Sequence, residues 1–257
     1  LRATDHIFVA SAWAKEIIEQ HISDIPVDVV PLGVNRSLFT ERSPNPEDMQ
    51  VCTFLNCGKW EKRKGHDVLL EMFKMAFPHE NNVQLLMMSE NPFLAQMGLH
   101  KMKDEWERYY RSDPRVRLMP RLPNHANVAD VMARADCGIF PSRAEGWNLE
   151  LLEMMSLGKH VIATNYSAHT EFCTPENSML IDVVSTELAK DDVFFDGSSG
   201  NWATIDQEAF DQGVQHMRDF YNNWQVNTSL VNTKGIETAK KFSWDATAER
   251  IKEIIYV

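Results

Sequence analysis

Apolar positions recur along the chain in two alternating rhythms. Short, almost wholly apolar runs at 6–10, 27–30, 52–56, 83–88, 116–119, 137–140 and 161–164 predict strands buried on both faces. Between them, stretches near 12–21, 66–76, 95–111, 125–134 and 149–157 are longer and helical in their spacing. That alternation predicts βα units, and hence an α/β fold with a parallel sheet covered on both faces. Beyond residue 202 the chain reads as helical to its end, with Ser243 or Asp245 placed to cap a last helix over 244–256.

Two segments break the rhythm. Pro31, Leu32, Gly33, Val34 and Asn35, followed by a stretch over 40–49 rich in Pro, Ser, Asn and acid, read as a linker. The acidic, Gly/Ser-rich stretch over 185–202 predicts an irregular loop. The chain opens on Leu1 inside an element already under way, so the expectation is that further chain precedes it.

Composition narrows the function classes. A chain of 257 residues that is 44% hydrophobic can bury a sizeable core. A net charge of −11 argues against nucleic-acid binding, which rewards a basic face. Cys52, Cys57, Cys137 and Cys173 form no CxxC pair, and the first three lie in apolar strand-like runs, so buried reduced thiols are expected. No run reaches the roughly 18 to 20 apolar residues of a membrane helix, and no signal-peptide pattern is visible. The expectation is a cytoplasmic protein. The nine histidines make no HxxxH or Cys/His cluster, and Lys190, Asp191 and Asp192 read as a solvated turn, so no metal is expected.

Chemistry concentrates at two strand–loop–helix junctions. The loop GKWEKRKG at 58–65 carries four cations in six positions and opens a helix at Asp67. It reads as an anion site assisted by the helix N-terminus, or as a solvated basic loop. It is neither a Walker loop nor a GxGxxG fingerprint. The second junction is EGWNLELLE at 145–153. A helix beginning near Asn148 or Leu149 places Glu145 in the preceding loop and Glu153 inside the helix, roughly 10 Å away. Between them lie the unpartnered amides of Gly146 to Leu149, with Gly146 allowing close backbone approach. Carboxylate, amide donors, carboxylate is the order that sugar hydroxyls, a diphosphate and a ribose diol require. Glu150 reads as a surface glutamate. His66 reads as a helix-starting residue, and His169 lies on the ligand-side rim. The methionines at 87–88 and 154–155 read as core.

Together, the two glutamates at this spacing and the upstream Gly-Lys-x4-Lys-Gly resemble the retaining GT-B glycosyltransferases of family 4, the glycosyl transferases group 1. Val29 to Asn35 looks like that family's interdomain segment, and Phe242, Ser243, Trp244 and Asp245 like its closing segment. Lys59 stands where the family has arginine, keeping the charge and losing the bidentate fork. The resemblance implies a Rossmann-like, doubly wound parallel sheet with a C-terminal helical tail. It implies residues 1–36 as a remnant of the acceptor domain (its last strand and helix) plus linker, 37–241 as the donor-binding domain, and 242–257 as a crossing helix. Lys59 and Lys64 would neutralise the donor diphosphate beside Gly58. Glu145 would hold the transferred sugar and Glu153 the ribose diol. Amides of Gly146, Trp147, Asn148 and Leu149 would bind phosphate or sugar oxygens, and Arg121 and Leu122 would lie at the base. The implied reaction is metal-independent hexose transfer with retention, from a UDP- or GDP-sugar to a glycan, lipid or other acceptor, with no cofactor beyond the donor. Two alternatives stay open: a non-catalytic nucleotide-sugar binder or interaction subunit, and a relative with epimerase or phosphorylase chemistry. Self-association, or a partner chain supplying the acceptor half, is part of the expectation.

Overall fold

The first residues form a unit of their own in a computed structural model, which describes residues 4–42, 50–227 and 230–256. β1 (Ile7–Val9) and β2 (Val27–Val29) pair in parallel as a separate two-stranded sheet, connected by α1 (Ala12–Glu19). The runs at 6–10 and 27–30 are therefore strands, but they do not join the main sheet as the uniform rhythm suggested. The N-terminal unit holds two strands, where only one was expected of it.

The main sheet follows. β3 (Cys52–Cys57), α2 (His66–Ala76), β4 (Val83–Met88), α3 (Pro92–Gln96), α4 (His100–Tyr110) and β5 (Val116–Leu118) build one side. α5 (His125–Arg134), β6 (Cys137–Phe140), α6 (Leu149–Ser156), β7 (His160–Asn165) and β8 (Met179–Asp182) build the other. All six strands are parallel, in the order β5-β4-β3-β6-β7-β8. Successive residues of β3 point to opposite faces, as the strand period requires. Phe54 packs with Leu69, Met72 and Phe73 of α2, and Leu55 with Leu151, Leu152 and Met155 of α6. The sheet is thus apolar on both sides, which is why its strands read as unbroken hydrophobic runs. Met87, Met88, Met154 and Met155 are buried in these two layers, and all four cysteines are buried and unpaired.

The expected long helix over 95–111 is two helices. Gly98, at φ +75, breaks it, and Pro92 starts the first piece behind an Asn91 cap. The stretch over 185–202 is a hairpin and not an irregular loop: β9 (Thr186–Lys190) pairs antiparallel with β10 (Asp196–Ala203). Its glycines serve a register shift between Asp196 and Asn201, with Gly197 at φ +90 and Gly200 at φ +124. Trp202 anchors it, fully buried, its indole N–H donating to Glu187 Oε1 at 3.0 Å. In the connecting turn, Asp191 accepts from the amides of Val193, Phe194 and Phe195. Of the expected linker over 40–49, residues 43–49 lie outside the described residues.

The chain closes with α7 (Gln207–Val226), α8 (Thr233–Lys241) and α9 (Trp244–Ile255). Ser243 is the cap of α9, its hydroxyl accepting from the Ala246 amide at 3.1 Å. Just before α9, Val34 bridges Ser243, and the Val34 amide donates to the Phe242 carbonyl at 3.0 Å. Thr247 Oγ1 donates to the Pro31 carbonyl at 2.7 Å, so α9 returns to the segment that follows β2. No helix among the described residues is long and apolar enough to cross a membrane.

Gly33 is where these two strands of chain touch. A Cβ there would stand 2.1 Å from both the Ser243 carbonyl carbon and the Trp244 nitrogen. Gly33→Ala must push backbone away from backbone, and we expect a loss of about 1–3 kcal/mol in urea unfolding. An unchanged midpoint would show that α9 does not pack on this segment.

Candidate functional site

Sheet order reverses between β3 and β6: from β3 the chain moves to β4 and β5, and from β6 to β7 and β8. Open parallel sheets bind ligands at such a switch point, beyond the carboxyl ends of the strands. The loops that leave these two strands are residues 58–65 and 141–148. They touch backbone to backbone. The Arg143 amide donates to the Arg63 carbonyl at 2.6 Å, and Gly65, at φ +74, leaves no room for a Cβ, which would lie 2.1 Å from the Pro141 oxygen.

Between the loops lies a buried charge cluster. Glu145 Oε1 accepts from Lys64 Nζ at 3.0 Å and from Ser142 Oγ at 3.0 Å, while Oε2 accepts from Arg63 Nη1 at 2.8 Å. Arg63 also donates to the Ala144 carbonyl and to Glu61. Glu145 and Lys64 are each only 6% exposed. Burial alone would raise the Glu145 carboxyl, but the neighbouring charges of Lys64 and Arg63 outweigh it and hold the group at about 2. Burial pulls the Lys64 ammonium down and Glu145 more than restores it. A carboxylate has about four acceptor positions, so with these three donors Glu145 keeps capacity for one more hydroxyl.

The loop is held from behind. The Glu145 amide donates to Ser167 Oγ at 2.9 Å, and the Glu145 carbonyl accepts from the Ala168 amide at 3.2 Å. Asn56, at the end of β3, donates to the Ile139 carbonyl and accepts from His66 Nε2, whose Nδ1 accepts the Glu61 amide. His66 is the first residue of α2 and fully buried; burial, then the charges of Lys64 and Arg63, hold it neutral with a pKa near 3.

Two contiguous cavities open above this base. One, of about 310 Å³, is lined by Gly58, Lys59, Glu90, Phe93, Arg121 and Glu150. The other, of about 370 Å³, is lined by Trp147, Asn148, Leu149, Glu150, Glu153 and His125. They share Cys57, Val128 and Glu150. Asn148 caps α6, its Oδ1 accepting from the Leu151 amide at 3.3 Å, so the helix start faces the second cavity. A further cavity of about 320 Å³ at Thr53, Gln84 and Arg134 lies nearer the amino ends of the strands and holds none of these groups.

The structure therefore gathers most of the expected residues at one place, in two tiers. Gly58, Lys59, Arg121, Trp147, Asn148, Leu149 and Glu153 line the open cleft, whereas Lys64 and Glu145 are buried between the two loops and line neither cavity. Lys59 is half exposed, 3.4 Å from Glu61 and 4.9 Å from the centre of the Phe93 ring. Gly146 is exposed, and a Cβ there would meet nothing within 4 Å. Leu122 faces the apolar layer under α5 and α6. Trp147 carries its side chain into the core against Phe172 and Phe242. The 58–65 loop is not simply a solvated basic loop: Lys59 and Arg63 pair with Glu61, Arg63 and Lys64 with Glu145, and Lys62 donates to the Lys190 carbonyl. Glu150 is not a surface glutamate: it lines both cavities, and after burial its charge is the second reason that Glu153 is raised to about 8. His169 is not on a rim but fully buried beneath Asn148. Sequence reasoning missed Arg63, Ser142 and Ser167 as partners of the Glu145 loop. Only Arg63 carried a signal, as the extra cation beside Lys64. Among the described residues, no three His, Cys, Asp or Glu side chains cluster as a metal site would require.

A parallel α/β domain with a charged cleft at its switch point belongs to the class of open sheets that place their ligand sites beyond the carboxyl ends of the strands. More narrowly, this chain belongs to the family described as Glycosyl transferases group 1, whose profile matches residues 51–193. Solved structures share the fold at low identity. Sucrose-phosphate synthase from Thermosynechococcus elongatus is 18% identical with a TM-score of 0.68, over 98% of this chain and 57% of that one. HepE from Anabaena, solved in complex with UDP and glucose, is 14% identical with a TM-score of 0.64, over 98% and 63%. The C-terminal domain of a glycosyl transferase group 1 family protein (LpcC) from Francisella tularensis is 16% identical with a TM-score of 0.53, over 85% and 98%. This chain thus spans 57% and 63% of the first two. A search of the curated proteins by sequence finds no match.

Two outcomes follow from the charges. Glu145 has a depressed pKa, so its stabilisation is complete above its unfolded value and is lost only as pH falls toward about 2. At pH 7, Lys64→Met should cost about 3 kcal/mol, and adding Glu145→Gln should cost less than the sum of the single changes. Additive losses in urea unfolding would show the pair to be uncoupled. Glu153 has the opposite sign. Its folded pKa of about 8 lies above the ordinary 4.5, so the folded chain holds the extra proton between those values, and stability falls as pH rises through that window. Glu153→Gln should flatten that decline between pH 5 and 8. Parallel wild-type and variant curves would mean that Glu153 titrates normally.

Proposed function

We propose that this chain is a retaining glycosyltransferase, or its donor-binding half, that transfers a hexose from a UDP- or GDP-sugar to a glycan, lipid or other acceptor. One observation carries the reading. A single cleft at the switch point presents a recess at Arg121 and Phe93, the cation Lys59 with the start of α6, and the carboxyl groups of Glu150 and Glu153. A nucleotide sugar needs a recess for its base, cations and amides for its diphosphate, and acceptors for its hydroxyls. The UDP and glucose held by the Anabaena relative are the same ligand chemistry.

In this reading Lys59 and the amides of Gly146, Trp147, Asn148 and Leu149 stabilise the diphosphate as the bond to the anomeric carbon breaks. Lys64 acts through Glu145, fixing it as a charged acceptor whose remaining position holds one hydroxyl of the sugar. Glu153 accepts from the ribose diol. The acceptor hydroxyl attacks on the face that the diphosphate leaves, and a phosphate oxygen takes its proton. Lysine charge stands in for a metal ion, and no cofactor beyond the donor is needed. Glu145 is a positioning group and not a nucleophile, so two-carboxylate hydrolase logic does not apply.

Thermal stabilisation by UDP, GDP, ADP and their hexose conjugates tests the reading, with Glu153→Ala alongside. A ligand at a hundred times its dissociation constant adds about 2.7 kcal/mol, a shift of several degrees at this size. We expect a shift with UDP or GDP that the variant loses. No shift with any of them would overturn the donor site. A shift without transfer to any acceptor would favour the second reading, a nucleotide-sugar-binding subunit that relies on a partner chain for its acceptor half.

A further inference from the structure

His169 plays no part in the chemistry above, yet it is fully buried. It sits in the short 3₁₀ turn Ser167–Glu171 that follows β7. Its Nδ1 lies 3.0 Å from the Thr164 carbonyl oxygen and its Nε2 2.8 Å from Asn148 Nδ2. A carbonyl can only accept and an amide nitrogen can only donate, so Nδ1 carries the proton and Nε2 accepts. The ring is thereby fixed as one neutral tautomer. The Asn148 amide is fixed too, because its oxygen accepts from the Leu151 amide while its nitrogen donates to the ring.

What this holds is unusual backbone. Asn148 has φ +83 and ψ +74, a left-handed conformation that non-glycine residues avoid. It is also the residue from which the chain turns into α6, and it sets where the first amides of that helix point. Asn148 is buried, with its two side-chain ends tied to different elements, one to α6 and one to His169. Removing the ring would orphan a buried amide and release one of two ties on strained backbone.

We infer that His169 is a positioning residue for the start of α6: through Asn148 it holds the left-handed turn that aims the first helical amides into the cleft. The consequence for nucleotide binding rests on the donor-site reading; the positioning does not.

Amide hydrogen exchange over residues 145–152 of the ligand-free chain tests the positioning, and titration calorimetry with UDP and GDP tests its consequence. In His169→Ala, exchange over 145–152 should quicken about tenfold, the value of one net buried hydrogen bond, while the peptides of β3 and β6 stay protected. His169→Gln, which keeps a carbonyl acceptor toward Asn148, should fall between it and wild type. Adding Asn148→Gly to His169→Ala should restore protection over 145–152 except at Leu151, whose acceptor on Asn148 is removed, because glycine adopts positive φ without a tether and is a tolerated cap. The affinity of whichever nucleotide binds the wild type should fall and return in parallel.

Unchanged exchange in His169→Ala, or a double variant as exposed as the single one, would overturn the inference. If His169→Ala does not fold, His169→Gln with and without Asn148→Gly decides in the same way, equal exchange in the two being the overturning result. If neither nucleotide binds the wild type, the donor-site reading fails, and the exchange measurement still decides the role of His169.

Discussion

The buried grip of Lys64 and Arg63 on Glu145 is the constraint around which the rest of the cleft is arranged. None of these charges could be taken out of water alone, because the desolvation cost of an isolated buried ion is prohibitive. Each therefore dictates the position of the others. Lys64 must come from the loop after β3, Glu145 from the loop after β6, and the two strands must be neighbours, as they are. The backbone contacts at Gly65 and Pro141 and at Arg63 and Arg143 bring the loops close enough for side chains of ordinary length to meet. Arg143 adds a second clamp, donating with two guanidinium nitrogens to Asp67 at 2.6 and 2.9 Å and to the Lys62 carbonyl. Such a cluster, with its charges paired and its loops joined backbone to backbone, holds the two loops in fixed relation.

The 3₁₀ turn after β7 connects this charge cluster to the first unit of the chain. On one side Ser167 and Ala168 hold the backbone of Glu145, and on the other Glu171 caps α1, accepting from the Ala12 amide at 2.6 Å. Trp13 meets Tyr166 edge to face at 6.1 Å between ring centres. A short turn of five residues thus touches α1, the Glu145 loop and the cap of α6 at once. Any shift of α1 against the main sheet would be felt at Glu145 through two intervening residues.

Much of this was legible in sequence, for identifiable reasons. Strands buried on both faces are continuous apolar runs, so β3, β4, β6 and β7 stand out. Helices with one apolar stripe, such as α2 and α5, were placed at their true ends. The hairpin β9–β10 was not legible because its glycines and acids, which serve a register shift and a turn, look like loop composition. The break at Gly98 was hidden by helix-forming residues on either side. At the site, Gly58, Lys59, Lys64, Glu145 and Glu153 were marked by charge and spacing, but spacing does not show depth. That Lys64 and Glu145 would be buried between the loops while Lys59 and Glu153 line the cleft is a three-dimensional fact. The same holds for Glu150, one helical step from Glu153, which a helix far from any cleft would leave in solvent.

Depth also explains why two lysines in one loop do not duplicate each other. Lys64 is buried and paired with Glu145 at 3.0 Å, so its charge is committed to that carboxylate. Lys59 is half exposed at 3.4 Å from the buried Glu61, which keeps Arg63 at 2.9 Å, so Lys59 can turn toward an anion without leaving that carboxylate unpaired. Across the cleft, burial and then the neighbouring charge of Glu150 raise the Glu153 carboxyl. A ligand that brings hydroxyl donors to these carboxylates and negative charge to Lys59 would relieve both imbalances together. A ligand with only one of those features would relieve one and leave the other. On the proposed reading, a molecule carrying diols and phosphate on one frame is the kind of ligand that suits these charges.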